Sequence, residues 1–454
     1  MPRSDSEHAF ANIRSHICAR TIRPLLHLSA TSFESRRAER RESRVWAACK
    51  NPKKSNFKST IGGRPMKKSL LAMAVLGAFA GAAHAQSSVT LYGVVDANVE
   101  YVNHEQNVTS AGIAIPGSGS RVAMQAGGLS SNRWGLRGVE DIGGGLKGLF
   151  VLESGFGMDT GTLQQGGRLF GRQAFVGLQG NWGKITLGRQ YTTIFDMMAN
   201  FSPSGYATQY EPVVGLLGPN FREDNVIKYT GLFGPVTVEG HWAFGERAGS
   251  QTANSAYGLG ANYFAGPFGL GVAYDEVKVL TAAEALGGAG NEYARDKRAA
   301  IAASYTVGPV KLMGGYRYGK TDTASSGATL ALLPHRDDLY WIGVNYQATP
   351  ALGFTLSYYY DDIKEATIGT TTVNPRKPQQ LNFTADYNFS KRTDVYFTAA
   401  YSRNASLNWD SIGYATTASG QLSIGYLPAA SQTYFITPDA SNQLGAAIGI
   451  RHKF

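Results

Sequence analysis

The chain has 454 residues and a formal net charge of +10, from 43 lysine and arginine residues against 33 aspartate and glutamate residues. Residues 1–85 hold 16 of the basic and 5 of the acidic residues, so residues 86–454 carry 27 basic and 28 acidic side chains and are almost neutral. Nucleic-acid binding driven by net charge is therefore excluded for the larger part of the chain, and we expect no nucleic-acid partner.

Residues 66–85 have the three parts of a secretory signal peptide. Lys67 and Lys68 make its start basic, residues 70–79 form an apolar core too short for a permanent transmembrane helix, and residues 83–85 form an Ala-x-Ala cleavage site. We therefore expect export through the general secretory pathway.

Residues 1–65 are rich in arginine and serine and contain no hydrophobic signal of their own. Because a signal peptide normally lies at the extreme N-terminus, we interpret them as an extension that is disordered or that reflects a start codon placed too far upstream. Cys18 and Cys49 both lie in this extension, so the exported part, residues 86–454, must be stable without disulfide bonds.

The exported part alternates with a period of two residues in one segment after another. In residues 91–101, apolar or small side chains alternate with a second set that includes Tyr92, Asp96 and Glu100, and residues 381–387 repeat the pattern. Strands of a soluble sandwich also alternate. Here, however, the apolar faces begin or end in aromatic residues and the opposite faces are polar or glycine-rich, which is typical of transmembrane β-strands.

The connections between these segments fall into two kinds. Tight turns rich in glycine, proline and asparagine are predicted at 140–145, 179–182, 264–267, 307–309 and 388–393. Long connections are predicted at 103–120, 191–220, 278–297, 320–336, 362–378 and 403–441. Short turns at one end and long loops at the other are the plan of an outer-membrane β-barrel. We predict an all-β fold, a transmembrane antiparallel barrel of 16 strands; 18 remain possible because 403–441 could hold another pair.

The chain ends in Phe454, which shares a face with Ile448, Ile450 and His452. A terminal aromatic residue on the lipid face suits a last strand that closes the barrel against the first. We therefore predict that Phe454 is an assembly signal.

Four stretches of the exported part carry a resemblance to a known family: LYGVVDANVEY after the cleavage site, SNRWGLRGVEDIGGGLKGLFVLESGF at 131–156, RQAFVGLQGNWGKITLGRQY at 172–191, and the closing GIRHKF. They resemble the Gram-negative trimeric general porins, in particular the type found in Burkholderia, Bordetella and Neisseria. The resemblance covers residues 86–454. It implies a 16-stranded barrel, a homotrimer, and a third long loop folded inward to narrow the pore.

The family's basic cluster on the barrel wall is matched by position at Arg133, Arg172 and Arg222, and alternation directs these arginines inward. An additional basic residue on the family's first strand is not matched, since Val94 stands there. We predict that the three arginines form the basic side of the pore constriction.

The 191–220 loop is expected to form the opposite side, with Asp196 and Glu211 as its only acidic residues. Arg189 follows Ile185 and Leu187 on the outward face, where a charge against lipid is costly, so we predict that it meets a neighbouring subunit. The expected channel-lining side chains are Tyr92, Asp96, Glu153 and Lys228.

These features predict a general diffusion porin of the bacterial outer membrane that passes small hydrophilic solutes and ions. An adhesin or structural anchor and a substrate-specific channel are the alternatives. The exported part has four scattered histidines and no motif of a catalytic or metal site, so we expect no enzyme activity, cofactor or metal. The expected partners are two further copies of the chain, the lipid and lipopolysaccharide of the outer membrane, periplasmic chaperones and the barrel-assembly machinery.

Overall fold

The computed structural model describes residues 88–108, 114–218, 221–280, 293–322, 334–368, 371–373, 376–410, 412–417, 420–424, 434–437 and 440–454. The predicted signal peptide at 66–85 and the extension at 1–65 lie outside these residues.

The described residues are mostly strands. They are β1 (Ser88–Val108), β2 (Ala114–Ala126), β3 (Arg133–Gly143), β4 (Leu146–Gly155), β5 (Gln173–Gly180), β6 (Gly183–Tyr191), β7 (Arg222–Phe233), β8 (Val236–Ala243), β9 (Ala256–Ala265), β10 (Phe268–Leu280), β11 (Tyr293–Val307), β12 (Val310–Asp322), β13 (Arg336–Gln347), β14 (Leu352–Ile368), β15 (Thr371–Val373), β16 (Gln379–Asn388), β17 (Thr393–Arg403), β18 (Ile412–Thr417), β19 (Gly420–Ile424) and β20 (Asn442–Lys453).

The sheet closes into an antiparallel barrel of 16 strands, as predicted. β1 pairs with β20 on one side, for example Ala97 with Ile450. On its other side β1 pairs with β2 along its second half and with β3 along its first half, so β2 and β3 together occupy one position around the barrel. The pairs β3–β4 to β17–β20 complete the circle.

The possibility of 18 barrel strands is resolved by the hairpin within residues 403–441. Its strands β18 and β19 pair with each other in a separate two-stranded sheet. β15 pairs with the end of β14, while β14 continues the barrel by pairing with β16. These short strands therefore add nothing to the circumference.

The predicted alternation determines which face each side chain occupies. On β1, Leu91 and Val99 are exposed, whereas Asp96, Asn98 and Glu100 are buried. The same outward apolar and inward polar pattern continues around the barrel, with Leu259, Ile301, Ile342, Leu381 and Ile448 among the exposed side chains. An outward apolar surface and a polar interior fit a barrel embedded in lipid.

The predicted long connection at 103–120 needs correction, and two long loops were missed. Residues 103–120 are mostly strand, because β1 continues to Val108 and β2 begins at Ala114. Gly117 and Gly119 have positive φ angles and lie within β2. The long loops 156–172 and 244–255 were not predicted.

Short helical turns occur within the long connections. These are α1 (Thr193–Met198) and α2 (Val213–Leu217), with 3-10 turns at Ala199–Phe201 and Leu407–Trp409. No helix in the described part of the chain is long and apolar enough to cross a bilayer. The largest buried apolar cluster combines α1 and α2 residues such as Ile194 and Leu216 with Leu339, Trp341 and Tyr359 of the strands.

Candidate pore constriction

The segment 192–221 connects β6 with β7 and contacts a succession of strands. It begins at Thr193, whose backbone N–H and hydroxyl lie 3.2 and 2.8 Å from Nδ1 of His241 on β8. Next, the backbone N–H of Ile194 donates to the Asp275 carboxylate of β10 at 3.2 Å. These contacts fix the start of the segment against the inward face, because His241 and Asp275 are both buried and alternate with outward side chains.

The middle of the segment continues to the far strands. Asn262 of β9 donates to the carbonyl of Met197 at 2.9 Å, and Trp341 of β13 donates to that of Phe201 at 2.9 Å. The Tyr210 hydroxyl donates to Glu100 of β1 at 2.8 Å.

Near its C-terminal end, the segment is held by two arginines. The carbonyl oxygen of Gly215 in α2 accepts from Arg298 of β11 at 3.1 Å and from Arg317 of β12. Arg298 and Arg317 are themselves paired with Asp296 and Asp337. These contacts join the segment to inward side chains of β1 and of β8 to β13.

Its tip is stabilised by a buried carboxylate. Glu211 is 2% exposed and accepts from the Ser202 hydroxyl at 2.7 Å, the Ala207 N–H at 3.1 Å and the Tyr359 hydroxyl at 2.8 Å. Burial raises the pKa of Glu211 above its ordinary value, because water no longer solvates its charged form. This side chain therefore holds the fold of the segment.

The three predicted arginines lie at the start of β3, immediately before β5 and at the start of β7. Arg172 pairs with Glu153 of β4 at 2.7 Å, and Arg133 lies 3.8 Å from the same carboxylate. Arg222 joins them through Tyr191, whose hydroxyl accepts from Arg172 at 2.8 Å and from Arg222 at 3.1 Å. The structure thus brings the three arginines together around Glu153 and Tyr191, with a formal charge of +2 for three cations and one acid.

Aromatic rings fix the position of Arg222. Its guanidinium lies 4.5 Å from the centroid of the Tyr191 ring and 4.8 Å from that of Phe221. The Tyr191 ring in turn stacks on Phe195 of α1 at 3.9 Å. Cation–π contacts and ring stacking restrict the position of the guanidinium, so its charge is held at the cavity described next.

A cavity of about 370 Å³ separates the arginine cluster from the segment. Its lining includes Arg133, Arg172 and Arg222 together with Tyr206, Thr208 and Glu211 of the segment.

The two acids of the predicted acidic side have different surroundings. Asp196 lies 2.5 Å from Nζ of Lys228, which is also 3.1 Å from Glu239 on β8, so one lysine serves two carboxylates. Glu211 is engaged within the segment, as described above, and lines the same cavity as the three arginines. The role of the two acids as the acidic side of the constriction stays a prediction.

The predicted channel-lining side chains all lie on the inward face, but their surroundings differ. The Tyr92 hydroxyl donates to Glu153 at 2.9 Å, beside the cluster. Lys228 is 4% exposed, covered by its acidic partners. Asp96 is 1% exposed and accepts the backbone N–H groups of Gly128, Leu129 and Ser130, so it holds the connection between β2 and β3.

Arg189 finds its polar partners within the same chain. It donates to Asp224 at 2.8 Å and to the Gly171 carbonyl at 2.7 Å, and its side chain is 18% exposed. The register of β6 and β7 is irregular between Gly188 and Gln190. The argument that Arg189 needs a partner from another subunit is therefore wrong; its place in a subunit interface stays a prediction.

Sequence reasoning missed two members of the site. Tyr191 was placed only at the start of the expected 191–220 loop, although its hydroxyl joins two arginines. Asp410, beyond β17, lines the cavity and accepts the Tyr434 N–H at 3.0 Å, and burial raises its pKa. An aromatic residue close in sequence to the matched arginines could have indicated that Tyr191 belongs to the site. No residue near Asp410 in the sequence indicated that Asp410 lines the cavity.

Comparisons with known proteins agree with this architecture. The sequence profile described as Gram-negative porin matches residues 72–407. An outer membrane porin protein of Bordetella pertussis is 31% identical over 75% of this chain and 95% of its own length. Outer membrane porin protein 32 of Delftia acidovorans is 32% identical over 86% of this chain and its full length.

Solved structures show the same fold. The anion-selective porin from Comamonas acidovorans is 25% identical, with a TM-score of 0.62 over 81% of this chain and all of that chain. An outer membrane protein of Vibrio cholerae, solved in a trimer form, has a TM-score of 0.53 at 15% identity and supports the fold alone. With its 16-stranded barrel, its lipid-compatible outer face and these relatives, the chain belongs to the Gram-negative porin family of the outer membrane.

Proposed function

We propose that this porin is a general diffusion channel for small hydrophilic solutes with a preference for anions. The observation that carries the proposal is the cluster of Arg133, Arg172 and Arg222, which faces a cavity and contains one acid, Glu153. In a narrow space with walls of low dielectric constant, a net positive charge attracts anions and repels cations.

The segment 192–221 is the constriction loop in this proposal. Its hydrogen bonds to inward side chains on β1, β8 and β13 support an inward fold, and the three arginines line the cavity beside it. Solutes then pass between the segment and the arginine cluster.

The name of the Comamonas structure, an anion-selective porin, supports the same preference. Tyr191 and Glu153 hold the arginines without neutralising all of them, which leaves positive charge for a passing anion. A closed adhesin has no comparable use for an arginine cluster on a cavity.

The proposal is tested by conductance in planar lipid bilayers and by liposome swelling with sugars of increasing size. We expect stepwise ohmic conductance, entry of small sugars only, and a reversal potential of the anion-selective sign in a tenfold KCl gradient. Because the Debye length falls from about 10 Å at 0.1 M to about 3 Å at 1 M salt, the preference should weaken at high salt. A cation-selective sign, or no channel activity, would contradict the proposal.

We also propose that the protein is a homotrimer, that the barrel-assembly machinery and periplasmic chaperones deliver it, and that cleavage precedes Gln86. Membership of the porin family supports the homotrimer and its assembly, and the Ala-x-Ala site at 83–85 supports the cleavage. Unheated gel electrophoresis should give a trimer that dissociates on heating, and N-terminal sequencing should begin at Gln86. A monomer by light scattering, or residues 1–65 retained in outer-membrane material, would count against them.

A further inference from the structure

The connection between β2 and β3 is longer than the stretch of β1 that it faces. Ala126 is the register partner of Ala97, and Arg133 is the register partner of Val94. Residues 127–132 therefore stand opposite only two residues of β1, whereas a common β-bulge places two residues opposite one. The extra residues cannot remain in the plane of the sheet. We call residues 127–132 the β2–β3 bulge.

The β2–β3 bulge extends to the inside of the barrel. Both of its ends are buried, and its middle residues, Leu129, Ser130 and Ser131, line the same cavity as the arginine cluster. The Ser131 carbonyl accepts from a guanidinium nitrogen of Arg133 at 3.1 Å. The bulge is therefore part of the cavity wall and a direct neighbour of the cluster.

The bulge also contacts the tip of the segment 192–221. The N–H of Gln209 donates to the Gly128 carbonyl at 3.1 Å, and the hydroxyls of Ser131 and Thr208 lie 3.1 Å apart. The bulge thus supports the segment at a place where it does not contact the strands named above.

A single carboxylate holds the backbone of the bulge. Asp96 accepts the N–H groups of Gly128, Leu129 and Ser130 at 3.0, 2.9 and 2.8 Å, and the Tyr396 hydroxyl donates to it at 2.5 Å. Successive N–H groups that converge on one point form an anion-binding nest, and here the chain's own carboxylate fills it. Because a buried N–H without a partner is costly, the carboxylate fixes the shape of the bulge.

We propose that the β2–β3 bulge is a second constriction element, which limits the size of the solutes that pass the arginine cluster, and that Asp96 is its positioning residue. The bulge narrows the cavity with its own side chains and steadies the tip of the segment beside it. The inference rests on the proposed function, in which solutes pass through this cavity.

Cysteine labelling tests the position of the bulge, because residues 86–454 contain no cysteine. Purified Leu129→Cys is reconstituted in planar bilayers, and its conductance is recorded before and after addition of the anionic reagent 2-sulfonatoethyl methanethiosulfonate. Ser118→Cys is the control, since Ser118 is exposed on β2. Mass spectrometry measures how much of each cysteine is modified.

The reagent attaches a group of roughly 100 Å³, about three water volumes of ~30 Å³ each, in a cavity of about 370 Å³. We therefore expect modification to lower the conductance of Leu129→Cys by about one third and to leave that of Ser118→Cys unchanged. Complete modification of Leu129→Cys without a change in conductance would overturn the inference. So would a cysteine at this position that does not react.

Liposome swelling tests the size limit. Relative to a monosaccharide, entry of a disaccharide should be slower through Leu129→Trp than through the wild type, and faster through Leu129→Ala. Leu270→Trp is the control, because Leu270 is exposed on the outward face of β10. Equal relative entry rates in all of these channels would contradict a role of the bulge in size selection.

Asp96→Asn tests the positioning residue. Its side chain keeps the same size but turns an NH₂ group toward the N–H donors of the bulge. We expect the labelling rate of Leu129→Cys to rise roughly fivefold when Asp96→Asn is added, as the loss of one hydrogen bond predicts. Glu276→Gln is the control, a buried carboxylate of β10 that accepts the hydroxyls of two tyrosines. Equal labelling rates with the two additions would overturn the role of Asp96.

A cationic reagent separates this inference from the proposed function. The trimethylammonium analogue should react with Leu129→Cys more slowly than the sulfonate. A faster reaction of the cation contradicts the preference for anions and leaves the bulge in the channel, whereas unchanged conductance after labelling contradicts the bulge alone. If Leu129→Cys does not fold, Ser131→Cys replaces it, with the same expected loss of conductance and the same contradicting results.

Discussion

At the scale of single residues, Glu153 determines how much positive charge the constriction offers. It is 4% exposed, pairs with Arg172 at 2.7 Å, and accepts the Tyr92 hydroxyl. Its carboxylate cancels one of three cations, so its removal should strengthen the field of the other two.

Glu153→Gln should therefore increase the preference for anions. In a tenfold KCl gradient we expect the reversal potential to move several millivolts toward the ideal anion limit of about 59 mV. Glu140→Gln is the matched control, since Glu140 is exposed near a tight turn of β3 and should leave the potential unchanged. A shift toward cation selectivity in Glu153→Gln would show that the carboxylate does not set the local charge.

The sequence identified the three arginines by position but could not give their partners. The hydroxyl of Tyr191 meets Arg222, which is 31 residues further along the chain, and Lys228 meets Asp196 across 32 residues. Such pairs form only after the barrel closes and the segment between them has folded. Alternation predicts whether a side chain faces the inside or the outside of the barrel. It predicts neither the hydrogen-bond partner of that side chain nor the distance between them.

At the scale of elements, the segment 192–221 is the part whose path depends most on distant contacts. Tyr210 and Glu100 are 110 residues apart in sequence, and Trp341 and Phe201 are 140 apart. The sequence analysis expected it to lie opposite the arginines, but the strands that it contacts could not be predicted. The missed loops 156–172 and 244–255 have a different cause, because their polar and small residues resemble the inward faces of strands.

Deleting residues 203–208 should raise single-channel conductance, because the segment would then occupy less of the cross-section. We expect an increase of at least one half, with faster current noise. Deletion of 247–251 in the neighbouring loop is the control and should have little effect.

A milder variant covers the case in which the deletion prevents folding. Trp341→Phe removes the N–H that donates to the Phe201 carbonyl at 2.9 Å and keeps an aromatic ring in place. Increased noise without loss of assembly is the expected result. Unchanged conductance and noise in both variants would contradict the proposed position of the segment.

At the scale of the whole molecule, the barrel is closed by the two ends of the described chain. The N–H of Phe454 donates to the Gly93 carbonyl at 3.1 Å, and the N–H of Gly93 donates to the Phe454 carbonyl at 3.0 Å. The Phe454 ring covers Gly93 so closely that a Cβ there would lie 2.3 Å from Cζ. Closure thus needs both the terminal aromatic residue and the glycine opposite it.

Deletion of Phe454 should lower the yield of folded trimer in the outer membrane several-fold, since it removes two closing hydrogen bonds and a packed ring. Phe389→Ala is the control, because Phe389 is an exposed aromatic residue in a tight turn, 65% accessible. The yields are measured by heat-modifiable gel migration of outer-membrane fractions. Equal yields of the two variants would show that Phe454 is not an assembly signal.

The overall architecture was the most predictable property of the chain. The alternation with a period of two residues recurs in 16 strands, and turn residues recur at one end of the barrel. One wrong boundary, such as the connection predicted at 103–120, therefore does not change the predicted architecture. Contacts inside the barrel occur once each and leave no repeated pattern, which is why the partners of Asp196 and Glu211 could not be predicted.

The central claim, that the arginine cluster sets the selectivity of the channel, is tested most directly by the reversal potential of one variant. Arg133→Gln, Arg172→Gln and Arg222→Gln together remove three cations and leave Glu153, which changes the local charge from +2 to −1. In a tenfold KCl gradient we predict that the reversal potential changes sign from anion-selective to cation-selective while conductance rises. A potential equal to that of the wild type, in a variant that still forms heat-labile trimers, would contradict the account.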